Sequence, residues 1–327
     1  MGFKALCLGL FCALFASHLY ISLPDDIEEY WKVVALATIA KTFTFMENAG
    51  FDSLNRWTAN KLDSVVVGVD YRLAPQHHFP VQFEDCLAAV KFFLQDEILA
   101  KYGVDPTRIC ISGDSSGAGL AAGVTQQVQT DTGFKHKIKI QALLYPSLQI
   151  IDSYLPSHQE NEHGIILPRD LAIKLVSLYL TKDETFVEAM RRNEHMPQES
   201  RHLFQFVNWS TLLPEKYRKG YVYTEPILGK HNFSFPGLMD IRISPLLAND
   251  SLLQNLPPTY ILTCQYDIVR DDGLMYVSRL QNVGVQVTHD HIENGIHAAL
   301  SFMTPPLYLH VGLRIRDMYI SWLDKNL

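Results

Sequence analysis

Ser115 lies in Gly113-Asp114-Ser115-Ser116-Gly117, a Gly-x-Ser-x-Gly pentapeptide between a β-branched run, Ile109-Cys110-Ile111, and a small-residue helical pattern through Leu120, Ala121, Ala122 and Val124. A serine hydroxyl is a weak nucleophile until a base takes its proton, and it is best exposed at a sharp strand-to-helix turn. Such a turn brings the residues two before and two after the serine close to neighbouring main chain, hence glycine at 113 and 117. The N–H groups opening the next helix point at the serine, so negative charge developing there meets the positive end of a dipole. Ser115 is therefore the candidate nucleophile, and the backbone N–H of Ser116 a candidate oxyanion donor. The same pentapeptide also occurs in ordinary loops. Here the turn Val104-Asp105-Pro106-Thr107-Arg108 precedes the strand and a helix pattern follows, which is the context a nucleophile requires.

A nucleophilic serine needs a base, and the base needs a carboxylate to orient it. Asp267 follows the apolar run Tyr260-Ile261-Leu262-Thr263-Cys264. His297 ends the segment Glu293-Asn294-Gly295-Ile296-His297, a loop expected after the strand pattern Val285-Gln286-Val287. Both residues fall past the carboxyl ends of strands, where open parallel sheets assemble their sites. Asp271 and Asp272 compete for the acid role, but two acids opening a helix are ordinary capping chemistry. His289 and His291 could present two metal ligands on one strand face, yet no third ligand accompanies them, and they are expected as polar edge residues. His77 and His78 fall in a turn and are expected as loop histidines. No metal is expected, and serine chemistry of this kind calls for no cofactor.

The elements that must hold these residues follow from periodicity. Ile27, Trp31, Val34, Leu36, Ile39 and Phe43 recur at helical spacing over 26–45, and a second helix is expected over 54–62. Ser64-Val65-Val66-Val67-Gly68-Val69-Asp70-Tyr71 is a continuous β-branched run of the kind found in buried parallel strands. Pro80 opens a helix with Phe83, Leu87, Val90, Phe93 and Leu94 on one side. Further strands are expected over 109–112, 138–145, 259–264 and 285–288. Helices between them give an α/β fold with a mostly parallel sheet. Residues 149–253 interrupt the alternation with helical pieces over 170–180 and 184–193 and an aromatic-rich stretch. An insertion there is expected to form a helical cap whose apolar side chains wall the site, unless it is an ordinary extra packing layer.

At 327 residues, 47% hydrophobic, the chain can bury a large core in one domain, expected over 24–327. A net charge of −7 without a basic run argues against a nucleic-acid surface and leaves small apolar ligands open. Residues 1–23 differ in character: Lys4 precedes an apolar stretch, and Asp25, Asp26, Glu28 and Glu29 follow it. That pattern is a signal anchor or a signal peptide with the body on the lumenal side, and the lack of a clean small-residue pair favours the uncleaved membrane anchor. Asn208, Asn232 and Asn249 each begin an N-glycosylation triplet. Outside the apolar N-terminus the cysteines are Cys86, Cys110 and Cys264, too few for more than one internal disulfide.

With Tyr71-Arg72-Leu73-Ala74-Pro75, the Ser115 pentapeptide, Asp267-Ile268-Val269-Arg270-Asp271-Asp272-Gly273 and His297 taken together, the chain resembles the arylacetamide deacetylase group of hormone-sensitive-lipase-like esterases. The resemblance runs from the N-terminal segment to Leu327. It implies an α/β-hydrolase fold, carboxylic ester hydrolysis, and Ser115, Asp267 and His297 as a triad. It also implies lipid-like or drug-like ester and amide substrates at the lumenal face of the endoplasmic reticulum, with secretion as the alternative address. The chain departs from the group in one large respect. A His-Gly-Gly-Gly loop is expected before the Tyr71 run, but this sequence passes from Met46 through Glu47-Asn48-Ala49-Gly50 to Phe51 and contains no Gly-Gly pair. The fold is therefore expected to be truncated at its first strands and to have lost oxyanion donors. The resemblance further implies that the usual partner of Cys264 went with that loop. Ala118 and Ala298 stand where the group usually has glycine.

Overall fold

The computed structural model describes residues 27–29, 32–33, 49–235, 237–304 and 308–327. The expected N-terminal anchor and most of the 26–45 helix lie outside them. A four-stranded parallel sheet in the order β1-β2-β3-β4 forms the centre, from Cys110–Asp114, Ile140–Leu144, Thr259–Tyr266 and Val287–Ile296. The longer helices are α1 (Ala49–Leu62), α2 (Val81–Phe93), α3 (Ser116–Thr130), α4 (Arg169–Leu180), α5 (Glu184–Arg191), α6 (Arg270–Asn282) and α7 (His310–Asn326). This is the α/β architecture expected from the alternation of patterns, with helices crossing between parallel strands.

Side chains along the strands alternate between two buried layers. On one face Leu143 and Ile261 join α3, α6 and the helices between β2 and β3, where Phe186, Trp209 and Leu246 are buried. On the other, Leu144, Tyr260, Leu262 and Cys264 pack beneath α7 through Ile315, Tyr319 and Trp322. Residues of β2 are buried throughout because strands flank it on both sides. Each fully buried leucine contributes about 1.5–3 kcal/mol relative to exposure, so the two central strands anchor the sheet.

Two strand expectations need correction. Strand β4 does not stop at 288 but runs to Ile296, with a register shift in which Cys264 pairs Ile292 and Tyr266 pairs Ile296. The bulge falls on Glu293-Asn294-Gly295, whose composition is that of a loop. Gly295 fits it because a Cβ there would lie 2.8 Å from Cys264 Sγ. The run 64–71 is no strand at all. It leaves α1, lies outside helix and sheet, and exposes Val65, Val66, Val67 and Val69. A buried parallel strand needs neighbours on both sides, and among the described residues none pairs with it. Strand β1 is likewise only half-buried, being hydrogen-bonded to β2 alone.

Candidate active site

Three strand ends meet at the site. Ser115 is the first residue after β1, Asp267 after β3 and His297 after β4. Parallel neighbours end on the same side of a sheet, so residues just past their carboxyl ends converge although they are far apart in sequence. Ser115 has φ 53° and ψ −123°, a region that side chains rarely occupy. Its N–H donates to Leu144 O at 2.9 Å and its carbonyl accepts from Ser147 N at 3.2 Å, which locks the turn between β1 and β2. A Cβ on Gly113 would lie 2.3 Å from Gly117 O, so only glycine fits there. Gly117 itself is not so confined: a Cβ on it would meet only Asp114, at 4.0 Å. The tight second position is Gly119, where a Cβ would lie 2.5 Å from Ser147 O, while Ala118 is buried without difficulty.

Ser115 Oγ lies 2.9 Å from His297 Nε2, and His297 Nδ1 lies 2.9 Å from both oxygens of Asp267. A carboxylate can only accept, so Nδ1 carries the proton and Nε2 is left free to accept from the serine. Asp267 also accepts from Val269 N, which fixes its plane. His297 and Asp267 are buried. Burial alone would depress the imidazole, but the charge and hydrogen bond of Asp267 outweigh it and hold the His297 pKa above its ordinary value. Such a chain can remove a proton from a hydroxyl, store it and return it to a leaving group.

The residue after His297, Ala298, has φ 57°, a left-handed conformation in which glycine would be unstrained. The Ser116 N–H opens α3 beside Ser115, and no described backbone or side-chain group accepts from it. It is free to donate to an oxyanion. Among the described residues no second glycine-rich backbone adjoins Ser115.

Sequence reasoning passed over two neighbours of the imidazole. The Tyr145 ring packs edge-on against His297 at 5.2 Å. The Asp114 carboxyl lies near enough for the two charges to interact, and burial pushes its pKa up to about 6. Their only sequence signal was position, at the ends of β1 and β2.

The competing acids are not helix caps. Asp272 reaches away from α6 to accept from Leu148 N and Gln149 N after β2, and Asp271 accepts from Ser157 N at 2.7 Å. Asp271 also pairs with Arg270, and Arg270 with Glu160. These acids are buried bolts between α6 and the chain leaving β2, and neither meets His297. His289 and His291 lie half-buried on the edge strand β4, as expected, both hydrogen-bonded to Thr263 Oγ1 at 2.9 and 2.8 Å. No cluster suited to a metal ion occurs among the described residues. His77 and His78 sit in the turn before α2, where His78 bonds to Leu178 O.

Of the glycosylation triplets, Asn232 and Asn249 are exposed, whereas Asn208 is half-buried and caps the helix Trp209–Leu212 by accepting from Ser210 N. Cys86, Cys110 and Cys264 are free thiols. No helix among the described residues is long and apolar enough to cross a membrane.

A family model of the α/β hydrolase fold matches residues 42–199 and 207–301. The chain is 62% identical to arylacetamide deacetylase-like 2 of Homo sapiens, an alignment that covers both chains fully. That alignment spans 401 positions, 74 more than this chain has residues. The chain is 44% identical to neutral cholesterol ester hydrolase 1 of Pongo abelii over 85% of its own length and 69% of that protein's. Among solved structures, a hyperthermophilic esterase from Pyrobaculum calidifontis superposes with a TM-score of 0.59 at 26% identity, covering 84% of this chain and 68% of that one.

Proposed function

Since the chain belongs to the arylacetamide deacetylase family of α/β hydrolases, we propose that it is a serine carboxylic ester hydrolase for lipid-like or small acyl esters, with turnover held down by an incomplete oxyanion site. The observation that carries this reading is the continuous hydrogen-bonded chain from Ser115 through His297 to Asp267.

In this mechanism Ser115 Oγ attacks the ester carbonyl carbon while its proton passes to His297 Nε2. Asp267 holds the imidazole and stabilises the imidazolium. Collapse of the tetrahedral intermediate expels the alcohol, which takes the proton back from His297. Water then attacks the acyl-enzyme with His297 again as base, releasing the acid and restoring Ser115. The Ser116 N–H donates to the oxyanion in both steps. One donor is a poor complement, since each missing donor costs about 100- to 1,000-fold in turnover.

Residues 149–253 are read as the cap over this site, and their aromatic-rich composition suits an apolar acyl or alcohol group. The relative named for cholesterol ester hydrolysis supports the lipid-like end of the range. The apolar N-terminus and the exposed Asn232 and Asn249 support a lumenal glycoprotein of the endoplasmic reticulum, held by its N-terminal segment. Glycosidase treatment of protein made with microsomes should shift its mobility, and alkaline carbonate should leave it in the membrane pellet. Unmodified protein digested from the cytosolic side would overturn that address.

A second reading, a non-catalytic relative that binds apolar ligands, is favoured by the absence of any Gly-Gly loop. Fluorophosphonate labelling separates the two. A probe bonded to Ser115 and lost in Ser115→Ala supports the hydrolase, whereas no labelling of folded protein supports the binding protein.

A further inference from the structure

We propose that Asp114 is a positioning residue for His297, a second carboxylate that, with the Tyr145 ring, holds and helps to charge the imidazole that Asp267 orients. This inference rests on the serine hydrolase reading above and assigns the remaining neighbours of its base. The strands dictate the placement. Asp114 ends β1 opposite Leu144 of β2, so Asp114 and Tyr145 lie at adjacent strand ends, where His297 meets Ser115. Tyr145 is buried, donates its N–H to Leu262 O at 2.7 Å and has φ 37°, a left-handed conformation that a residue with a side chain keeps only where its surroundings impose it. The ring of this strained residue lies edge-on to the imidazole, 5.2 Å between centres. Its hydroxyl is buried without a hydrogen bond of ordinary geometry among the described residues, and the charge acting on it most strongly is that of Asp114.

The usual structural duties of an aspartate do not account for Asp114. Asp105 and Asp131 each accept from the backbone N–H two residues on, and Asp271 pairs with Arg270. Among the described residues Asp114 forms no ion pair, and no N–H of α3 donates to it although it stands at the start of that helix. The positive charge that acts on it is that of His297.

Charge fixes the direction of the effect. Burial pushes Asp114 up to about 6, so its carboxylate is ionised at neutral pH and loses its charge as the medium turns acidic. An anion near the imidazole favours the protonated ring, as Asp267 does more strongly. The other ionisable groups around this pair are the phenols of Tyr145 and Tyr71 and the thiol of Cys264, all pushed upward by burial and neutral over the same range. Asp114 therefore supports the imidazolium that forms when Ser115 gives up its proton, and the Tyr145 ring keeps that imidazole in place.

The test uses the full chain in detergent micelles. His297 is followed through the low-field NMR signal of its Nδ1 proton, assigned by its loss in His297→Gln, and Ser115 through its rate of fluorophosphonate labelling across pH. Asp114→Asn keeps the shape of the side chain and should melt as the wild type does, while the His297 midpoint falls by about 0.5–1 pH unit and the acid limb of labelling falls with it. Asp114→Glu, which keeps the charge, should restore both. Tyr145→Phe should behave as the wild type, whereas Tyr145→Leu should label at least about tenfold more slowly, because the ring rather than the hydroxyl holds the imidazole. An unmoved midpoint in Asp114→Asn would overturn the proposal. So would loss of the fold in that variant, which would mark the carboxylate as structural. Absence of labelling in the wild type would overturn the hydrolase reading alone, since the NMR midpoint decides the role of Asp114 without turnover.

Discussion

The two ends of the sheet are built to different standards. At β3 and β4 the strands pair up to the site across a bulge, the acid and base sit one residue past a paired position, and buried acids bolt α6 to the chain leaving β2. At β1 the strand is half-buried and hydrogen-bonded to β2 alone, and the valine run expected to continue the sheet is exposed and outside it. The nucleophile stands on the boundary. Its proton-transfer partners come from the complete side, while further oxyanion donors would have to come from the incomplete one. Acid–base machinery and oxyanion stabilisation are thus separable parts of this fold, because they are positioned by different strands.

That contrast can be broken most completely at the serine. Ser115→Ala should abolish fluorophosphonate labelling while leaving the thermal unfolding transition in place, since a small half-buried hydroxyl is all that is lost. Persistent labelling of the variant would move the nucleophile elsewhere. Next in size is repair of the open side. Inserting a family glycine loop with its flanking strands between Met46 and Phe51 should raise hydrolysis of a short-chain nitrophenyl ester by about 100- to 1,000-fold for each donor restored. Vigorous hydrolysis by the unaltered chain, abolished by Ser115→Ala, would instead show that one donor suffices.

The complete side is tested through Arg270, fully buried between Asp271 and Glu160 with its guanidinium 4.7 Å from the Tyr217 ring centre. Arg270→Ala strands a buried carboxylate and should cost about 3–5 kcal/mol in urea unfolding. A loss below about 1 kcal/mol would mean that the bolts contribute little. The smallest effect expected is on pH dependence. His297 acts as a base only when neutral, and its raised pKa places the acid limb of activity above the usual imidazole value of 6.5. For stability the sign is opposite: the pairing with Asp267 contributes fully below the unfolded pKa and fades as pH rises through the folded one. In Asp267→Asn the limb should shift downward in a pH–rate profile, and an unmoved limb would remove Asp267 from the pair.

Much of this site is legible in the sequence alone. Gly113 could be read because a single steric demand governs it, and Ser115 because strand, turn and helix patterns adjoin it without interruption. Asp267 and His297 were legible from their places after apolar runs, although β4 was read short because its bulge over Glu293-Asn294-Gly295 has loop composition. Asp271 and Asp272 were misread as caps. A carboxylate at a helix start satisfies its own N–H groups or another segment's equally well, and only the packing of α6 against the chain after β2 selects the second.

The sequence by itself determined the local chemistry: the elbow, the order of nucleophile, acid and base, the alternation of strands and helices, and the lack of a glycine loop. These are encoded in neighbouring residues and in composition. Only the tertiary structure decided which carboxylate meets His297, that Gly119 rather than Gly117 is the crowded position, and that residues 64–71 are not a strand. A β-branched run has the propensity for a strand wherever it stands, but a strand exists only when another backbone supplies its hydrogen bonds, and that supply is a property of the sheet rather than of the run.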